Sequence, residues 1–287
     1  MDIRARFRKG RRAALVACFA GLVPAAGAET LALADVLGGA APGEANGHGF
    51  AHLAVLDPAN TYVGGALVME DTCVEGNGAT LDLQEGSIFV VAGAGATRFD
   101  IDHCLIVNGG TQTAGDYGGG IEFGAGTQGW VVNNTFYNNY PFGVYLHEVI
   151  TSGDATLVTL NIFYRDGAAG LVRNQTQPNV TIRYNDSTGN GQAEYAYHCA
   201  CPSEPFVEIF PGQPPEAPEL DGSNFSRDPE FMQEPQPPKI PGDFHLSDAS
   251  PCIGAGPTGE DLGAFPHGPA PAVVPLTWGA LKARFLE

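Results

Sequence analysis

The sequence predicts an all-β solenoid, a rod of stacked coils, on three observations. The phrases FDIDHCLIVNG (99–109), WVVNNTFYNN (130–139), LVTLNIFYRD (157–166) and NVTIRYND (179–186) are β-rich runs that close on Asn or Asp. Between them stand short apolar phrases that open on glycine: GIEF (120–123), GVYL (143–146) and GLVR (170–173). The spacing is regular: 23 residues from Ile121 to Val144, 27 from Val144 to Leu171, and 27 from Phe136 to Phe163. Self-similar strands at such a period cannot bury their apolar faces singly and do so by stacking.

At 287 residues and 44% hydrophobic content the chain is long enough for one sizeable core. Residues 1–28 read as a signal peptide. A basic segment ends at Arg12, an apolar run follows, and Ala26-Gly27-Ala28 fits a small-residue cleavage site. That apolar run is too short to span a membrane. Without the leader, 8 basic and 31 acidic residues remain, a net of −23. Such a charge excludes nucleic acid as a partner, because phosphate backbones require a basic surface. The mature protein is expected to be secreted or at the cell surface, and monomeric.

Residues 29–265 are expected to form the solenoid domain. TLALADVLG (30–38) reads as a short amphipathic helix that caps the first coil, since an open solenoid end is a row of unpaired backbone groups. Residues 53–65 and 66–83 supply the first strands. Alternation turns Ile121, Val144, Phe123 and Leu146 inward, and Glu122, Tyr145 and His147 outward. Leu105, Phe136 and Phe163 are expected to stack inside, and Asn134 and Asn161 to align at a turn, with His103 at the same level. Arg173 aligns with Phe123 and Leu146, so either the strand ends early or an arginine is buried. Residues 187–242 are Pro-rich and acidic, and read as a long loop. Residues 266–287 form a tail in which Trp278, Leu281 and Phe285 could share one face of a short helix, a candidate docking or sorting segment.

Export permits disulfides among Cys73, Cys104, Cys199, Cys201 and Cys252. Cys73 and Cys104 are 31 residues apart, about one coil, so they could stack as a disulfide or stand as two buried thiols. The pair Cys199 and Cys201 is one residue short of a metal-binding CxxC.

The chain resembles the right-handed parallel β-helix proteins of the pectin-lyase-like superfamily. The carriers are the N-terminal helix, GNGATLDL (76–83), the NNTFYNN and NIFYRD coils, DPEF (228–231), FHL (244–246), SPCIGAG (250–256) and DLGAF (261–265). The last group is similar to the closing segment of bacterial β-helix repeat proteins. The resemblance implies three parallel sheets per coil, a dry interior and an outer groove; many members cleave polysaccharides.

Within that resemblance Ile101-Asp102-His103 is similar to a pectate-lyase motif. It implies calcium held by Asp100 and Asp102, whose hard carboxylate oxygens suit that ion. Arg98, Arg173 or His103 would then be the candidates for the base of a β-elimination. Asp100 replaces the motif's tryptophan, and the segment that supplies the family's catalytic arginine is absent. Gly47-His48-Gly49 resembles a polygalacturonase tripeptide, but it precedes the coils without carboxylate partners and is expected to be a loop. Glu122, Tyr145 and His147, with Glu148 beside them, combine a carboxylate and aromatic rings, as sugar binding uses. The expected function is therefore an exported, non-catalytic β-helix that contacts polysaccharide along an outer groove. The alternative is a calcium-dependent lyase acting on a uronate polymer.

Overall fold

The structure is a computed structural model that describes residues 28–110, 118–147, 156–174, 179–198, 207–208, 222–233 and 243–268. Residues 1–27 of the leader, the tail segment with Trp278, Leu281 and Phe285, Glu148, Cys199, Cys201 and most of the Pro-rich stretch lie outside the described residues.

The described chain is a parallel β-solenoid built from three ladders. The first joins His52–Val55, 72–75, 99–102, Trp130–Val132, Thr156–Thr159 and Val180–Arg183. The second joins Thr30–Ala32, Thr61–Val63, 79–82, 104–107, Thr135–Tyr137, Ile162–Tyr164 and Asp186–Thr188. The third joins Ala66–Val68, Ile88–Val90, Ile121–Phe123, Phe142–Leu146, Ala169–Asn174 and Ala193–His198.

Each ladder sends one apolar column inward: Val74, Ile101, Val131, Val158 and Ile182; then Leu81, Ile106, Phe136 and Phe163; then Ile88, Ile121, Val144, Leu171 and Tyr195. The rings of Phe136 and Phe163 stack with centroids 4.8 Å apart, a contact of about 1 kcal/mol beyond area burial. The helix Leu33–Gly39 closes the N-terminal end with Leu33 and Leu37 buried in this core. Thr30–Ala32 is a strand and not helix, because it pairs with Thr61–Val63 and extends the second ladder.

Asparagines clamp the coils from within. Asn134 Oδ1 accepts from Cys104 N at 3.0 Å. Asn161 Oδ1 accepts from Asn134 N at 2.9 Å, Asn185 Oδ1 from Asn161 N at 3.0 Å, and Asn224 Oδ1 from Asn185 N at 3.1 Å. Their Nδ2 atoms donate to carbonyls of the preceding coil, as Asn161 does to Val131 O at 2.8 Å. All four are buried, so each amide supplies partners to backbone groups that water cannot reach.

Two of the coil expectations change. Ile106, not Leu105, pairs with Phe136, and Cys104, not His103, stands at the asparagine level. A one-residue slip of register moves a side chain to the opposite face, so Leu105 packs outside beneath the C-terminal segment. Secondly, the coils run on into the Pro-rich stretch, where Ala193–His198 pairs with Ala169–Asn174. Of the two readings for the cysteines, the buried thiols hold: Cys73, Cys104 and Cys252 are free and buried, with Cys73 facing outward beside Asp100 and Cys104 in the interior.

Candidate functional site

The outer face of the first ladder begins under a hairpin. Gly43–Ala45 and His48–Phe50 pair antiparallel around Asn46 and Gly47, whose φ values of 57° and 76° fit a type I′ turn. Of the Gly-His-Gly tripeptide, Gly47 therefore lies in the turn, and His48 and Gly49 in a paired strand. The hairpin lies across the sheet: Asn46 Nδ2 donates to Asp100 Oδ2 at 2.7 Å, and the His48 ring meets Trp130 edge-on at 6.1 Å. Beneath it Arg98 Nε lies 3.0 Å from Asp100 Oδ1, with the guanidinium 4.7 Å from the Trp130 ring centre. Asp100 Oδ1 also accepts from Trp130 N at 3.1 Å. Burial pushes the Asp100 carboxyl up to about 6, against the lowering pull of Arg98 and Asn46. Both oxygens of Asp100 are thus taken by protein donors, and Arg98 is committed to this ion pair.

Asp102, two residues on, is 9% exposed, less deeply buried than Asp100. It is opposite Glu75 on the neighbouring coil, in a row that runs from exposed Val55 through Glu75 and Asp102 to buried Val132. His103 Nδ1 lies 3.2 Å from Asp102 Oδ1, and Asn133 Nδ2 lies 3.4 Å from His103 Nε2. Partial burial and the adjacent Asp102 charge raise the Glu75 carboxyl above its ordinary value. His103 has φ 48°, a left-handed conformation that asparagine tolerates better than histidine; at the same level Asn133 has φ 53°. The result is two neighbouring carboxylates, an imidazole and an amide on adjacent coils, between the hairpin and Phe265 of the C-terminal segment, which lies over Gly78. The carboxylates of such a row can accept hydrogen bonds from hydroxyl groups.

The third ladder presents a different face. Glu122 and Tyr145 pair outward as alternation requires, yet they are only 3% and 2% exposed. His147 Nε2 holds Glu122 Oε1 at 3.0 Å, and the His147 and Tyr145 rings are 4.1 Å apart. Tyr145 further joins Phe142, Ala169, Val172 and Ala196 in a buried apolar cluster. The Tyr145 ring, which a sugar would stack on, is buried in that cluster. The strand Ala169–Asn174 does not end early, so Arg173 is a fully buried arginine.

Residues 61–202 match the family model of the right handed beta helix region. The chain is a right-handed β-helix repeat protein. No curated protein and no solved structure matches it.

In this β-helix, then, of the residues singled out from the sequence, Arg98, Asp100, Asp102 and His103 come together on one strand, and Glu122, Tyr145 and His147 form a separate, covered group. Arg173 joins neither row. Among the described residues no group of three or more His, Cys, Asp or Glu side chains is arranged to hold a metal ion. Calcium would find Asp102 and Glu75 available and Asp100 already saturated by donors, which is an incomplete set for an ion that takes six to eight oxygens. Glu75 and Asn46 went unnoticed in the sequence. Glu75 precedes Asp102 by 27 residues, the same interval that separates Phe136 from Phe163, and that interval was the available signal. Elsewhere on the β-helix an open cleft of about 440 Å³ is lined by Met232, Asp243, His245, Asp248 and His267. There His245 and His267 are each held by a carboxylate, at 2.6 and 2.7 Å.

Proposed function

We propose that this β-helix is an exported protein that holds a polysaccharide on the outer face of its first ladder without cleaving it. One observation carries the reading: Glu75, Asp102, His103 and Asn133 form a continuous polar row across adjacent coils, about 4.8 Å apart. The carboxylates of Glu75 and Asp102, on neighbouring coils, offer acceptors to sugar hydroxyls, and exposed Val55 supplies an apolar contact at the N-terminal end. The polymer is neutral on this reading. The mature chain carries a net of −23, and the arginine nearest the row, Arg98, is held by Asp100. An anionic glycan would meet repulsion that nothing on the row offsets.

One observation favours cleavage instead: Glu75 and Asp102 are adjacent carboxylates, and burial together with the Asp102 charge raises the Glu75 carboxyl, as a general acid requires. Under that reading a uronate polymer would need a cation to bridge it to the row. A single panel separates the two. The full-length mature chain is tested for retention by neutral and acidic polysaccharides, with calcium and with chelator, while unsaturated and reducing-end products are assayed. Retention by neutral polymers without products supports the binding reading. Calcium-dependent release of unsaturated products would replace it with the lyase.

A further inference from the structure

A second column of polar side chains runs inside the coils: Asn139, Asp166 and Asn190. Asn139 Oδ1 accepts from Gly109 N at 2.9 Å, and its Nδ2 donates to Ile106 O at 3.1 Å. Asp166 Oδ1 accepts from Asn139 N at 2.9 Å and from Asn139 Nδ2 at 3.0 Å. Asn190 Oδ1 accepts in turn from Asp166 N at 2.8 Å. The pattern repeats that of the Asn134, Asn161, Asn185 and Asn224 ladder, where every rung is an amide. Here one rung is a carboxyl group, 27 residues after Asn139, as Asn161 is 27 after Asn134.

The second oxygen sets this rung apart. Asp166 Oδ2 takes the place that Nδ2 takes in an asparagine rung, and it is buried with no hydrogen-bond partner. It lies against Gly143, where even a Cβ would come within 2.6 Å of it, so no water fits between them. The surroundings do not favour a negative charge. Asp166 is 2% exposed, and the titratable group acting on it is Glu194, an acid whose carboxylate holds Asn190 Nδ2 at 2.5 Å and Gly189 N at 3.0 Å. The adjacent Arg165 turns outward, 4.9 Å from the Tyr164 ring centre. The donors that favour charge are Asn139 N and Nδ2, and both reach only Oδ1.

We propose that Asp166 is a neutral carboxylic acid in the folded protein, with its proton on Oδ2 in place of an amide hydrogen. The coil stack is then held in part by a proton and weakens as pH rises. Burial, opposed by the Asn139 bonds, moves the Asp166 carboxyl well above its ordinary range, in the direction this requires. The folded-state value exceeds the unfolded one. The stabilisation is therefore complete below the unfolded value of about 3.9 and is lost as pH rises through the folded value.

Two measurements test this. In wild-type NMR spectra the Asn139 backbone amide, bonded to Asp166 Oδ1, should not shift between about pH 3 and pH 6, across the ordinary carboxylate range. A titration of that amide with a midpoint near pH 4 would overturn the proposal, and this readout needs no variant. The second measurement is equilibrium urea unfolding at several pH values for wild type and Asp166→Asn. One proton held only in the folded state raises the unfolding constant by up to about tenfold per pH unit. Asp166→Asn should remove that increment and be the more stable protein at about pH 8. Equal pH slopes in the two proteins, or a variant weaker at every pH, would contradict it.

Discussion

Asn46 donates to Asp100 at 2.7 Å and so ties the N-terminal hairpin to the coils. Asp100 receives this bond while it also accepts from Arg98 and from Trp130 N. The hairpin therefore rests on a buried ion pair, and removing one donor weakens the set. Asn46→Ala should lower stability by about 2 kcal/mol, the range for a hydrogen bond to a charged group. It should also expose Trp130 to water as His48 lifts from its ring. Because the chain has two tryptophans, fluorescence in a Trp278→Phe background reads Trp130 alone, and a red shift is the expected outcome.

The asparagine ladder is a sharper test of the interior. Asn161 accepts from Asn134 N and Nδ2 and donates to Val131 O, Thr159 O and Asn185 Oδ1. Asn161→Ala strands several buried groups at once, each costing about 1–3 kcal/mol. We expect a loss of about 4 kcal/mol in urea unfolding, enough to unfold a marginal chain. A loss below about 1 kcal/mol would mean that water or a neighbour replaces the amide.

His103 adopts φ 48°, and Asn133, one coil on, shows which residue that conformation favours. His103→Asn should stabilise the fold by about 0.5–1 kcal/mol and weaken glycan retention, the trade expected where a strained residue serves a site. Thermal unfolding and retention measured on the same preparation check both halves.

Asp186 fastens the C-terminal segment, accepting from Arg227 N at 3.0 Å and from the Cys252 thiol at 3.2 Å. Burial pushes its carboxyl up to about 7, opposed by those two bonds. A folded value above the unfolded one means that its contribution is present in acid and lost as pH rises through about 7. Limited proteolysis at residues 222–268 should accelerate above neutral pH in wild type. The acceleration should be smaller in Asp186→Asn, whose amide oxygen still accepts from Arg227 N.

Much of the fold was legible in the letters. The interval from Ile121 to Val144 to Leu171 set the third ladder, and those residues pair in that register. The 27-residue step from Asn134 to Asn161 set the amide ladder. The slip at Leu105 arose because Cys104 stands where its neighbours have asparagine, so the repeat lacked its marker in that coil. The site was less legible, for a physical reason. Alternation says which way a side chain leaves a strand, and it was right for Glu122 and Tyr145. What then covers that face is a tertiary matter, as the hairpin over Asp100 shows. Glu75 was within reach of the same spacing argument that aligned the phenylalanines.

On the function proposed above, the face of Glu75, Asp102 and His103 is the contact surface for glycan. The most direct measurement is titration calorimetry of the retained polysaccharide against wild type, Asp102→Asn and Glu122→Gln. Replacing a charged acceptor should cost Asp102→Asn about tenfold or more in affinity. Glu122→Gln, on the covered third-ladder face, should bind as wild type does. Undiminished binding by Asp102→Asn together with loss in Glu122→Gln would contradict the claim and move the contact surface to the third ladder.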